Sequence, residues 1–300
     1  MFSKIQIRFK ALFHCIINSI ILFPYKNSLI VDAWVNMKYG RVSHNNWGDD
    51  INVYFIEAIT KKKVIIKNCS IFHRVFHSKS FICIGSIIGK YEDKNSIVWG
   101  SGAISSDTKI KSKRCQINSV RGPLTRQLLI DQGIECPPIY GDPALLISKF
   151  YKPKNTHRYK YGFVLHNVDA DNQIVQQFLR TTNDEATVIS LSIYRNWTDV
   201  VDQICSCDVI FSSSLHGLII ADSYSIPNVW ISLSNAIIGG KFKYLDYFKS
   251  VNRQDSDPVM IRCQEDLLSL LSVQPKITCH IDYDSIINSC PFDICAQYYQ

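Results

Sequence analysis

Short apolar runs bounded by small or turn-forming residues recur along the chain. They predict buried strands at 29–35, 63–66, 81–84, 97–99 and 117–120, and again at 161–166, 187–191, 208–211 and 229–233. Between them, apolar residues at helical spacing predict helices at 51–59, from Pro123 to about Gly133, at 172–180, 197–206 and 215–224, and one running toward Lys249. A strand entering the Gly141-Asp142-Pro143 turn is expected at Tyr140, and a short strand and two helices after Asp257. Alternation of this kind predicts an α/β fold built from two Rossmann-like halves. Residues 150–160 are polar and basic, contain Pro153, and read as the linker. The expected organisation is an N-terminal basic amphipathic segment (1–27), a Rossmann-like domain (28–152), and a second Rossmann-like domain with a helical C-terminal tail (153–300). Strand ends of the two domains would face each other across a cleft.

The stretch 208–231 is the most informative. An apolar strand runs into Ser212-Ser213-Ser214, then Leu215-His216-Gly217 opens a helix that Pro227 stops. Ligands of open α/β sheets bind at the carboxyl ends of strands, and amides at a helix start suit phosphate or carboxylate. Ser213, Ser214, Leu215 and Gly217 are therefore candidate anion-binding residues, with His216 as acid/base group. An ordinary capped helix with His216 facing solvent is the alternative. In the first half, Asn46-Trp47-Gly48-Asp49 turns into a helix, with the aspartates where the helix dipole favours negative charge. Gly100-Ser101-Gly102 resembles a phosphate-contact loop without being the full dinucleotide fingerprint. Arg121, between a strand and Pro123, can fork onto an anion or form a surface ion pair.

Composition narrows the partners. The apolar fraction of 46% supports a packed core, and the charged fraction of 20% argues against disorder. A net charge of +7 suits anionic ligands, an anionic membrane surface or nucleic acid. No arginine-rich arm or aromatic RNA-binding signature accompanies it, so nucleic acid is not an expected partner. Eleven cysteines without metal-ligand spacing read as reduced, mostly buried thiols of a cytoplasmic protein, and no metal site is expected. The N-terminal apolar tract, 11–23, is interrupted by His14, Asn18 and Ser19 and is short for a membrane span. It reads as an amphipathic helix with Lys4, Arg8 and Lys10 on its polar side. Such a helix either lies on the inner face of the cytoplasmic membrane or packs on the domain.

Six motifs occur in order: NNWGDDIN (45–52), WGSGAI (99–104), SVRGPLTRQLL (119–129), YGDPALL (140–146), SSSLHGLIIADSYSIPNVW (212–230) and GGKFKYLDYF (239–248). Together they resemble the polysaccharide pyruvyl transferase family, from about Leu29 to about Arg253. The resemblance implies a GT-B-like two-domain fold. It also implies transfer of pyruvate from phosphoenolpyruvate to a sugar, as a ketal, on a surface polysaccharide or its lipid-linked precursor, with no further cofactor. In the family the segment at Ser214-Leu215-His216 often reads Arg-Leu-His and helps bind the donor; here Ser214 replaces the arginine. Arg121, Lys241 or Lys243 would then supply the positive charge. Asn46, Trp47, Gly48, Asp49, Gly100, Ser101, Gly102 and Asp142 are expected around the acceptor or cleft. Two other readings use the same scaffold: a glycosyltransferase taking a nucleotide sugar, and a non-catalytic, membrane-docked assembly subunit.

Overall fold

The computed structural model describes residues 4–23, 27–76, 78–154, 158–182, 184–234, 238–272, 275 and 279–295, with side chains from Phe9 onward. The side chains of Lys4 and Arg8 thus lie outside the described residues. The strands are β1 (Leu29–Val31), β2 (Met37–Lys38), β3 (Arg41–Val42), β4 (Val64–Ile66), β5 (Ser80–Ile82), β6 (Ser96–Trp99), β7 (Gln116–Ser119), β8 (Tyr159–Val164), β9 (Ala186–Ile189), β10 (Cys207–Ser212), β11 (Asn228–Ser232) and β12 (Val259–Met260). The helices are α1 (Lys4–Leu22), α2 (Trp47–Thr60), α3 (Ile71–Val75), α4 (Pro123–Asp131), α5 (Ile147–Phe150), α6 (Gln173–Thr181), α7 (Trp197–Cys205), α8 (Leu215–Ser223), α9 (Phe242–Ser250), α10 (Gln264–Leu271) and α11 (Tyr283–Asn288).

Two five-stranded sheets form, in the orders β4-β1-β5-β6-β7 and β12-β11-β10-β8-β9, and every pairing within them is parallel. Counting the strands of each sheet in chain order, both follow the same path. The second strand lies outside the first, and the third starts a run on the other side. Each sheet therefore has one switch point, between β1 and β5 and between β8 and β10, where adjacent crossovers leave in opposite directions and open a crevice.

Local chemistry moves several expected boundaries. α2 begins at Trp47 rather than 51, because the Asn46 side chain accepts a hydrogen bond from the Gly48 amide and caps it. The first strand stops at Val31. The chain then forms the β2–β3 hairpin, whose turn residues Tyr39 and Gly40 have φ of 52° and 72°. Tyr140 makes only a single bridge to Val120, and Asp142 caps a 3₁₀ turn at Pro143–Leu146 instead of ending a full strand.

The two halves share one apolar cluster, which contains Val31, Ile56 and Ile66 together with Val164, Ile210 and Leu218. The Trp47 ring is fully buried; its indole nitrogen donates to the Trp197 carbonyl (2.7 Å), and its amide to the Leu191 carbonyl (2.7 Å). Arg121 and Asp246 form an ion pair across the same seam, both fully buried. Thr125 also donates to Asp246, from its amide and hydroxyl. The C-terminal segment does not stay with the second sheet. The Trp99 indole donates to the Ile286 carbonyl (2.9 Å), Asn118 to the Ser289 carbonyl, and Phe292 packs edge-on against Phe81 and Trp99. All eleven cysteines are free. Four are buried, fewer than expected, and Cys263 and Cys295 are exposed.

Candidate active site

The carboxyl ends of the switch-point strands meet in one cavity of about 160 Å³. Trp34 follows β1, Ser86 and Ile87 follow β5, His166 and Asn167 follow β8, and Ser214, Leu215 and His216 follow β10. Asn46, Asp49, Lys90, Ile104, Leu191 and Lys243 complete the lining.

One wall is the start of α8. Its N-cap, Ser214, makes no side-chain capping bond, so the hydroxyl and the first-turn amides stay available to a ligand. The helix is held from both ends. Ser212 at the end of β10 donates to the Val164 and Ser214 carbonyls. Near the other end Asp222 accepts from Arg253, Asn228 and Tyr247. Gly217 allows the helix this close to the sheet, since a Cβ there would lie 2.3 Å from the Ser212 hydroxyl.

Lys243, in the first turn of α9, is 7% exposed. Its ammonium lies 5.3 Å over the Tyr244 ring and makes no hydrogen bond or ion pair among the described residues. Burial, and then the charge of Arg121, lowers its pKa to about 8, with Asp49 opposing. Tyr244 fixes this turn by stacking on Trp230 (4.6 Å) and donating to the Ser213 carbonyl (2.7 Å). A second cation, Lys90, sits 4.4 Å over the Trp34 ring.

His216 packs flat on α2. A Cβ at position 48 would lie 2.1 Å from its Nδ1, so only glycine fits there. Its Nε2 is buried and has no hydrogen-bond partner among the described residues. Burial first, then the charges of Lys243, Arg121 and His166, lowers its pKa to about 3, which keeps the imidazole neutral at pH 7. Asp49 is shifted the other way, to about 6, by burial; the bond from Asn46 (2.7 Å) and the nearby lysines only partly offset that. The His166 Nδ1 accepts from the Val168 amide, which leaves its Nε2 to donate.

The sequence profile of the family described as polysaccharide pyruvyl transferase matches residues 22–235. The chain belongs to that family. It is similar to the uncharacterized protein L143 of Acanthamoeba polyphaga mimivirus, with 29% identity over 67% of this chain and 69% of that protein. It is also similar to the succinoglycan biosynthesis protein ExoV of Rhizobium meliloti, with 24% identity over 71% of this chain and 64% of that protein. The chain thus spans only about two thirds of the length of these relatives. No solved structure matches it.

Against this family background, the expected site residues divide. His216, Ser214, Leu215, Lys243, Asn46 and Asp49 line the cavity. Arg121 does not: its guanidinium is spent on Asp246, the Ser86 hydroxyl (2.5 Å) and the Ala103 carbonyl (2.8 Å), with no exposed surface. It reaches the cavity indirectly, by orienting Ser86 and through its charge, which acts on Lys243 and His216. Lys241 is also elsewhere, exposed and paired with Asp257. Ser213 is buried, accepting from the His166 amide and donating to Asp169. Trp47 belongs to the seam and Gly48 backs the His216 ring. Gly100 lies beneath Pro143, Gly102 beneath Arg121, and Ser101 donates to the Gly85 carbonyl. Asp142 is fully buried as a cap. These residues build the site without entering it.

Trp34, Ser86, Lys90, His166 and Asn167 were not among the candidates. Trp34 and His166 fall inside the strands expected at 29–35 and 161–166, which end earlier in the structure; Ser86, Lys90 and Asn167 lie in the loops that follow β5 and β8. The signal that would have found them is strand order, because only the ends of β1, β5, β8 and β10 flank the switch points.

Proposed function

We propose that the protein transfers pyruvate from phosphoenolpyruvate to a sugar with two neighbouring hydroxyls, forming a pyruvate ketal on a surface polysaccharide or its lipid-linked precursor. The observation that carries this reading is Lys243, a lysine only 7% exposed and without an ionic partner among the described residues, beside the open start of α8. An unpaired buried charge is costly, and a bound anion removes the cost. The cavity is of the order that holds one small molecule, as a ~150 Å³ cavity holds benzene. That suits phosphoenolpyruvate, with about ten non-hydrogen atoms, better than a nucleotide sugar, whose site falls in the range of roughly 300–1,000 Å³. Two parallel sheets meeting at one donor cavity are also what a GT-B-like arrangement requires.

In this mechanism phosphate and carboxylate sit among Lys243, Lys90 and the α8 amides. Their negative charge raises the Asp49 pKa further, so the carboxyl holds a proton. Asp49 donates it to the methylene carbon, which becomes a methyl group and leaves the adjacent carbon electrophilic. One sugar hydroxyl attacks that carbon as neutral His216 takes its proton. The carbon–oxygen bond to phosphate then breaks, the electron pair leaving with phosphate, which receives the proton from His216. The second hydroxyl closes the ketal, and its proton returns to Asp49. Every proton is accounted for, and the substrates alone supply the atoms.

Thermal-shift titration with phosphoenolpyruvate against a panel of nucleotide sugars tests the donor, and mass spectrometry of the oligosaccharide product tests the transfer. Phosphoenolpyruvate should stabilise the protein, and Lys243→Ala should weaken its binding at least about tenfold. Arg121→Ala should instead destabilise the fold by about 3–5 kcal/mol, because it strands Asp246. Stabilisation by a nucleotide sugar and not by phosphoenolpyruvate would overturn the reading.

A further inference from the structure

Helix α1 is inside out. Its polar residues Asn18 and Ser19 are buried and satisfied. Asn18 donates to the Met37 carbonyl (3.0 Å) and accepts from the Gly40 amide (2.8 Å), while Ser19 donates to the Cys15 carbonyl and accepts from the Ile71 amide. Leu22 at its end is buried, but most of its apolar residues point outward: Phe9 is 69% exposed, Phe13 53%, Ile20 60%, and Phe23, just past the helix, 75%. The neighbouring α3 continues this surface. Phe72 packs on Phe23 (6.0 Å), and Val75 and Phe76 are exposed beside it. A helix facing water carries the opposite arrangement.

Charge identifies what covers this face. Residues 1–31 and 58–90 contain no Asp or Glu. Lys10, Arg74 and Lys79 are exposed on or next to the two helices. A second copy of the chain would set basic surface against basic surface. An anionic bilayer answers both features, receiving the apolar side chains below its headgroups and pairing its phosphates with the cations. No helix among the described residues is long and apolar enough to cross a membrane, so the contact is with one leaflet.

We propose that the exposed face of α1 and α3 docks on an anionic lipid bilayer. The inner side of α1 and the donor cavity are joined through one residue. α1 contributes His14, Cys15 and Asn18 to a hollow of about 420 Å³ that Trp34 also lines, and Trp34 borders the donor cavity. The docking proposal itself does not depend on which donor that cavity takes.

Sedimentation of the full chain with vesicles tests it. The wild type should pellet with phosphatidylcholine vesicles containing about 30% phosphatidylglycerol, less with phosphatidylcholine alone, and less again at high salt. Phe13→Glu, Ile16→Glu and Ile20→Glu together should weaken partitioning more than about tenfold. Because these side chains are exposed, the melting temperature should not change. Arg74→Ser with Lys79→Ser, which leaves the apolar residues in place, should reduce the preference for anionic lipid alone. The proposal fails if the wild type stays in the supernatant with anionic vesicles at low salt, or if the triple variant binds as tightly. It fails equally if the triple variant turns a wild-type dimer into a monomer while no vesicle binding occurs.

Discussion

Asp49 and His216 border one cavity with their proton affinities pushed apart, the carboxyl up to about 6 and the imidazole down to about 3. Such a pair can divide acid and base roles. Asp49→Asn keeps the shape and removes the donated proton, so turnover should fall by roughly 10²–10⁴-fold. Phosphoenolpyruvate binding should persist or tighten, since a like charge has gone. The same variant has a stability signature. The folded-state pKa of Asp49 is raised, so its contribution is fully present below 3.8 and is lost as pH rises through about 6. Asparagine does not ionise, so the melting-temperature advantage of the variant should grow between those values and stay constant above them. A variant with normal turnover, or a pH-independent stability difference, would remove Asp49 from the mechanism.

At the scale of elements, the site depends on two helix starts pressed together. α2 brings Gly48 under the His216 ring, and α8 brings the ring to the cavity. Gly48→Ala would gain about 0.5–1 kcal/mol of helix propensity if the ring were a bystander. A Cβ at this position would lie 2.1 Å from Nδ1 of the ring, which predicts the opposite: the ring is displaced, turnover drops at least about tenfold, and the melting temperature falls. Steady-state kinetics with thermal melts decide between the signs. This contact also marks what was legible in the sequence. The helix at 215 and its histidine follow from local pattern, because a strand end, a serine cluster and a proline stop are all local signals. That His216 rests on Gly48 does not, because the two are joined only through packing between the sheets. Arg121 shows the same boundary. An arginine between a strand and a helix reads equally as an anion ligand or an ion pair, and its partner, Asp246, lies in the other half.

The whole molecule is held by a core that runs through both sheets and by a buried ion pair across the seam. Heat should therefore unfold it in a single calorimetric transition, with calorimetric and van't Hoff enthalpies equal; two resolved peaks would show that the halves are independent. Strand–helix alternation made both sheets readable from sequence, since each strand announces itself by a short apolar run. The return of the chain after α10 was not readable, because nothing in 279–295 says which sheet it will cover. That return has a consequence for biosynthesis. The Trp99 indole and the Phe81 ring of the first sheet find their partners at Ile286 and Phe292, which are translated after the entire second sheet. The half made first is thus finished last. A nascent chain that has emerged only as far as the middle must keep an incomplete apolar surface waiting, and it is in that interval that the protein is most open to proteases and most in need of a chaperone.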